Sequence, residues 1–136
     1  MIDILEPLAC EALCMRLSAD FAHFADSRDY EKFVALFTED GIFERRGETL
    51  RGRNAILRAM HSRPEDMTTR HICTNIRIDT HGNGMATGAG SMLLFHRAGS
   101  ENAPPSITVA DYRDIYIATA DGWRIQERVS TLVFNT

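Results

Sequence analysis

Acid–base chemistry in this chain has to be assembled from single residues, because the sequence carries no glycine-rich phosphate loop, no nucleophile elbow and no HExxH pair. Asp26 stands where a long amphipathic segment ends, beside Phe21 and Phe24, a semi-apolar setting for a carboxylate. On spacing alone, a solvated helix-end turn residue is the favoured reading, since Asp is seldom fully buried. His71 opens an alternating segment and shares its parity with Asn75, so both side chains are expected on one side. Tyr112, Asp114 and Tyr116 share a parity further on, with Arg113 opposite. Parity fixes which residues share a face, not which face is wet. His23, His61, His81 and His96 carry the same structural or solvated reading as any lone histidine. Cys10 and Cys14 lie one helical turn apart, but no second Cys/His pair completes a zinc spacing, and small apolar residues on a buried helix face are the favoured reading.

Three helices and a set of long strands must position these groups. Leu13, Leu17, Phe21 and Phe24 fall at i, i+4, i+8 and i+11, which predicts a helix over residues 5–24 with that stripe inward. Residues 26–29 break the pattern, and a shorter helix is expected over 30–37. Residues 38–41 read as a turn and 42–45 as a short strand; a third helix is expected over 53–61, stopped by Pro64. The second half changes period. Residues 70–80 alternate, with Ile72, Ile76 and Ile78 on one side and His71, Cys73, Asn75 and Arg77 on the other. His81-Gly82-Asn83-Gly84 is a hairpin turn signal. Strands are expected over 85–97, 107–118 and 123–134, the second preceded by a polar loop over 98–106, with Trp123, Ile125, Val129 and Val133 as core. Gly88 and Gly90 mark a bend, a bulge or a close approach within the first of these strands. Helices followed by antiparallel strands read as an α+β fold.

Composition narrows the function. With 136 residues, 44% hydrophobic and 25% charged, the chain is expected to form one globular domain over residues 1–136. The net charge of −4 is spread without a basic stripe, which argues against nucleic acid. No segment approaches the ~20 apolar residues that cross a bilayer, and the first seven residues include Asp3 and Glu6 rather than a basic start, so no membrane partner is expected and the cytoplasm is the expected compartment.

Five phrases in order resemble one family. They are residues 21–30 (FAHFADSRDY), 36–41 (LFTEDG), 70–75 (RHICTN), 112–114 (YRD) and 121–125 (DGWRI) with Arg128. Together they resemble the SnoaL-like branch of the nuclear-transport-factor-2-like superfamily over roughly residues 6–134. The resemblance implies a cone, in which a strongly curved sheet wraps the long N-terminal helix around a pocket. It also implies a homodimer formed through the outer face of the sheet, for which Ile72, Ile76 and Ile78 offer an apolar stripe.

Within that superfamily, scytalone dehydratase, bile-acid dehydratases and polyketide cyclases are the relevant relatives. The dehydratases place an Asp after the first helix and a His at the start of the second strand, which matches Asp26 and His71 here. The implied chemistry needs no cofactor or metal: His71 removes a proton next to a carbonyl of a small, mostly apolar compound, and Asp26 orients the imidazole. Burial disfavours the charged forms of both groups while their contact favours the charged pair, a balance suited to a general base. Asn75, Tyr112, Tyr116 and His96 are then expected to position or polarise the substrate. Phe21 stands where relatives often carry a pocket tyrosine, so the chain departs from the pattern in its electrophile. The same fold also serves as a non-catalytic binding or assembly subunit. Epoxide hydrolysis on it would need a carboxylate–Arg–carboxylate cluster.

Overall fold

A computed structural model describes residues 4–99 and 102–136. Helix α1 (Leu5–Ser27) runs slightly past the expected end and is closed by Arg28, whose left-handed φ of 61° lets its amide donate to the carbonyls of Phe24 and Ala25. Asp29 then caps α2 (Tyr30–Val34) by accepting from the Lys32 amide. The buried face of α1 is Cys10, Cys14, Leu17, Ser18, Phe21 and Ala25, whereas Leu13 is 52% exposed. The buried face keeps Leu17 and Phe21 of the expected stripe and turns toward Cys10, Cys14, Ser18 and Ala25, with Phe24 partly buried against it.

Helix α2 ends before Phe37, which belongs to β1 (Phe37–Arg45). The turn signal at residues 38–41 is realised as an irregularity inside β1, where the pairing shifts between Phe37 and Ile42. A two-residue turn with Arg46 at φ 51° and Gly47 at φ 72° leads into β2 (Glu48–Arg51), a strand not foreseen from the sequence. Helix α3 (Arg53–His61) follows, then β3 (Met67–Gly82), β4 (Met85–Ala98), β5 (Ser106–Thr119) and β6 (Gly122–Asn135). Of the polar loop expected over 98–106, residues 100 and 101 lie outside the described residues.

The six strands form one curved sheet in the order β2-β1-β6-β5-β4-β3. It is mixed rather than antiparallel throughout: β1 and β6 run parallel, with Phe37 opposite Ile125 and Phe43 opposite Arg128. After the β3–β6 meander the chain returns beside its own first strand in the same direction, an adjacency that local patterning does not encode. The inner face packs on α1. Phe21, Phe33, Phe37 and Phe43 meet there in tilted and edge-on pairs 4.7–6.4 Å apart. Ile125 is core as expected, but Val133 is 51% exposed.

A bulge in β3 changes what its residues face. Pairing jumps between Thr74 and Arg77, and Asn75 takes φ 54° there. The extra residue flips parity, so Ile78 packs on the core on the same side as His71, while Ile72 is 48% exposed on the other. The expected Ile72–Ile76–Ile78 stripe is therefore broken. No helix among the described residues is long and apolar enough to cross a membrane.

Candidate functional site

Asp26 is the next-to-last residue of α1, and its carboxylate reaches across to β3. There the His71 amide donates to Oδ2 at 2.9 Å and the His71 ring places Nδ1 2.6 Å from Oδ1. Thr69, two residues before His71 on the same face, donates its hydroxyl to Oδ1 at 2.9 Å. Arg63, just beyond α3, donates to the Thr69 hydroxyl at 2.9 Å, to the Ala25 carbonyl at 2.8 Å and to the Tyr30 hydroxyl at 3.1 Å. The carboxylate is thus held by three donors, and a guanidinium holds one of them. Burial alone would raise the Asp26 pKa; the hydrogen bonds from the His71 ring and amide, the imidazole charge and the Thr69 hydroxyl outweigh it and hold the carboxyl below its usual range.

A carboxylate can only accept, so neutral His71 carries its proton on Nδ1 and leaves the Nε2 lone pair free. His71 lines a cavity of about 900 Å³, and no described residue hydrogen-bonds Nε2. Phe21 stands edge-on to the imidazole at 6.3 Å. Phe33, Phe43, Met60, Met92 and Leu94 supply apolar wall, while His96, Ser106, Thr108 and Ser130 supply polar groups. The His96 Nε2 lies 3.5 Å from the Thr108 hydroxyl. Among the described residues no three His, Cys, Asp or Glu side chains gather as a metal site.

The other expected site residues are distributed differently. His96 and Phe21 line the cavity with His71. Asn75 does not: the bulge turns it to the outer face, where it borders a separate groove of about 480 Å³ with Ser91, Asp111 and Arg113. Tyr112 and Tyr116 point inward, but their hydroxyls are engaged below the cavity. Tyr112 donates to Ser18 at 3.2 Å and Tyr116 donates to Asp114 at 2.5 Å. Burial pushes both phenols further up from their ordinary values.

Asp114 is the centre of that lower layer. It receives two hydrogen bonds from Arg128, at 2.8 and 2.6 Å, and Arg128 also donates to Ser18 at 2.7 Å. The Arg128 guanidinium is sandwiched between the rings of Phe21 and Tyr112, 4.4 and 4.2 Å from their centroids. Gly88 and Gly90 make room for the two tyrosines, since a Cβ at Gly90 would stand 2.5 Å from the Tyr112 hydroxyl and one at Gly88 2.8 Å from the Tyr116 ring. Arg128 meets one carboxylate, not the two an epoxide-hydrolysing cluster requires. Sequence reasoning gave no role to Thr69, Arg63, Ser18 or Arg128. Thr69 carries a signal in sharing the parity of His71, and Arg128 in belonging to the last phrase of the family resemblance.

Comparison with known proteins agrees with this architecture. No curated protein matches the sequence. Among solved structures, an NTF2-like protein with a cystatin-like fold from Novosphingobium aromaticivorans is 26% identical, with a TM-score of 0.84 over 95% of this chain and 85% of that one. A candidate scytalone dehydratase from the same organism is 24% identical, with a TM-score of 0.83 over 92% of this chain and 85% of that one. A hexachlorocyclohexane dehydrochlorinase, LinA type 2, is 21% identical, with a TM-score of 0.86 over 97% and 90%. The model of the SnoaL-like domain matches residues 7–129, nearly the whole of the chain, which therefore belongs to the SnoaL-like family.

Proposed function

We propose that the protein is a cofactor-free enzyme that starts dehydration or isomerisation of a small, mostly apolar carbonyl compound by proton abstraction. The observation that carries this reading is the Asp26–His71 pair with its free Nε2 at the wall of a large cavity. Nε2 takes a proton from the carbon next to the carbonyl, and the electrons move into an enolate. In dehydration the enolate expels a hydroxide from the neighbouring carbon, and the imidazolium returns its proton to make water. In isomerisation the same proton is returned to a different carbon. Asp26 keeps Nδ1 protonated and stabilises the transient imidazolium. With Phe21 unable to donate and both buried tyrosines engaged, His96 and the hydroxyls of Ser106, Thr108 and Ser130 are among the cavity donors that can serve the enolate oxygen. Elimination of water and of hydrogen chloride, the chemistries named for two similar structures, both suit a base placed in this way.

The test is α-proton exchange followed by NMR in D₂O, on a panel of cyclic ketones and β-hydroxy ketones. Wild type should catalyse exchange on at least one class, and His71→Ala should slow it by roughly 10²–10⁴-fold, the span of a positioned base. Exchange that His71→Ala leaves intact would sink the base assignment. Ligand binding without exchange, indifferent to Asp26 and His71, would instead support a non-catalytic binding subunit.

A homodimer belongs to the same reading. Pairing aligns Ile72 with Leu93, Leu93 with Val109 and Val109 with Phe134, an apolar row across the outer face. A second copy docked there would cover Ile72 and Phe134, now 48% and 59% exposed. Analytical ultracentrifugation should give twice the chain mass, and Ile72→Asp the single mass.

A further inference from the structure

The end of the cavity formed by β1 and the α3–β3 connection is cationic. Arg45, Arg46 and Arg63 line it with Glu44, Gly47 and Met60, three cations to one acid. Among the described residues the ion pairs are Arg16–Asp20, Lys32–Asp29, His71–Asp26 and Arg128–Asp114, so none of the three arginines has a carboxylate partner. Arg63 is satisfied by neutral acceptors, a carbonyl and two hydroxyls. Arg45 is not. Its guanidinium lies over the Phe43 ring at 5.7 Å, and its Nε is buried with no hydrogen-bond partner. Of the acids nearby, Glu44 accepts from the Thr49 hydroxyl at 3.0 Å, and Glu48 acts on Arg45 only at longer range.

Burial, together with the like charges of Arg46 and Arg63, works against the charged form of Arg45. A half-buried guanidinium with an unmet donor is costly to hold in an apolar wall without an ion-pair partner in contact. Its planar fork matches a carboxylate through two parallel hydrogen bonds. His71 lines the same cavity, so one molecule can engage both groups.

We propose that the substrate is an amphipathic carboxylic acid whose carboxylate pairs with Arg45 while its apolar body carries the reacting carbon to His71. The assignment rests on the proposed function for the role of His71, but the anion site stands on Arg45 and is tested by binding alone.

The experiment is calorimetric titration of 2-naphthoate, methyl 2-naphthoate and 2-naphthyl phosphate into wild type, Arg45→Gln and His71→Ala. Wild type should bind the acid at least about tenfold more tightly than its ester, roughly 1.4 kcal/mol. His71→Ala should keep that preference and Arg45→Gln should lose it. Arg45→Gln should fold with an unchanged or raised Tm, since it removes an uncompensated charge, and Arg45→Lys should restore part of the preference. Equal affinity for acid and ester in wild type overturns the proposal, as does a preference that survives in Arg45→Gln. Tighter binding of the phosphate than of the acid overturns the carboxylate assignment. Loss of exchange activity in His71→Ala with the acid preference intact would separate the two sites, and failure of the base assignment would leave this result untouched.

Discussion

Asp26 grips His71 twice, with Oδ1 2.6 Å from the ring Nδ1 and Oδ2 accepting the backbone amide at 2.9 Å. One carboxylate therefore sets both the tautomer of the imidazole and the position of the strand that carries it. Replacing it by Asn keeps the shape and removes the charge that fixes the proton on Nδ1. On the active compound, Asp26→Asn should lower kcat by about 10²-fold or more with KM little changed, because ring orientation matters to the transition state rather than to binding. A fall confined to KM would contradict an orienting role.

The same carboxylate predicts a pH dependence of stability. Its folded pKa lies below the ordinary carboxylate value, so the unfolded chain takes up this proton at a higher pH than the folded protein does. The stabilisation is complete above the ordinary carboxylate range and is lost as pH falls through the lower, folded value. Thermal melts from neutral to acid pH should show a shallower decline for Asp26→Asn than for wild type. Parallel declines would mean that Asp26 is not held as described.

Asn75 should matter to stability and not to turnover. Its φ of 54° at the β3 bulge is tolerable for Asn and Gly and strained for a β-branched residue by about 1–2 kcal/mol. Asn75→Gly should leave the melting temperature nearly unchanged, and Asn75→Val should lower it by several degrees. Both should keep wild-type turnover, because the residue faces the outer groove. Lost activity in a folded Asn75→Gly protein would place the residue back in the site.

The same bulge shows where sequence reading runs out. Helix α3 and the four long strands were legible because period, Pro64 and the 81–84 turn are local signals. Asp26 and His71, 45 positions apart, could be paired only through the family resemblance; no spacing rule links a helix end to a strand start. Parity alone sets Asn75 on the His71 face of β3, and one extra residue at the bulge reverses it; Asn marks such a bulge only weakly, because it also occurs in regular strands and turns. The parallel β1–β6 pair was invisible because it joins the first strand to the last. Whether Tyr112 and Tyr116 were donors to a substrate or to the core depended on Ser18 and Asp114, partners that only the folded chain brings near.

Arg128 and Asp114 form a fully buried ion pair, with side chains 2% and 0% exposed, whose loss should be asymmetric. Burial works against the charged guanidinium, but the paired carboxylate outweighs it and holds Arg128 firmly protonated. Arg128→Met leaves the buried Asp114 without its cation beside Tyr112 and Tyr116 and should cost about 3–5 kcal/mol, a large part of the stability of an ordinary domain. It also removes the cation lying on Phe21, the ring that stands against His71, so the cavity floor should loosen together with the core. Replacing both partners, Arg128→Met with Asp114→Leu, removes the stranded charge and should recover most of that loss in a urea melt. Exchange activity should not recover in parallel, because Phe21 still lacks its support. A double variant as unstable as Arg128→Met would show that packing around the guanidinium, rather than an unpaired carboxylate, accounts for the loss.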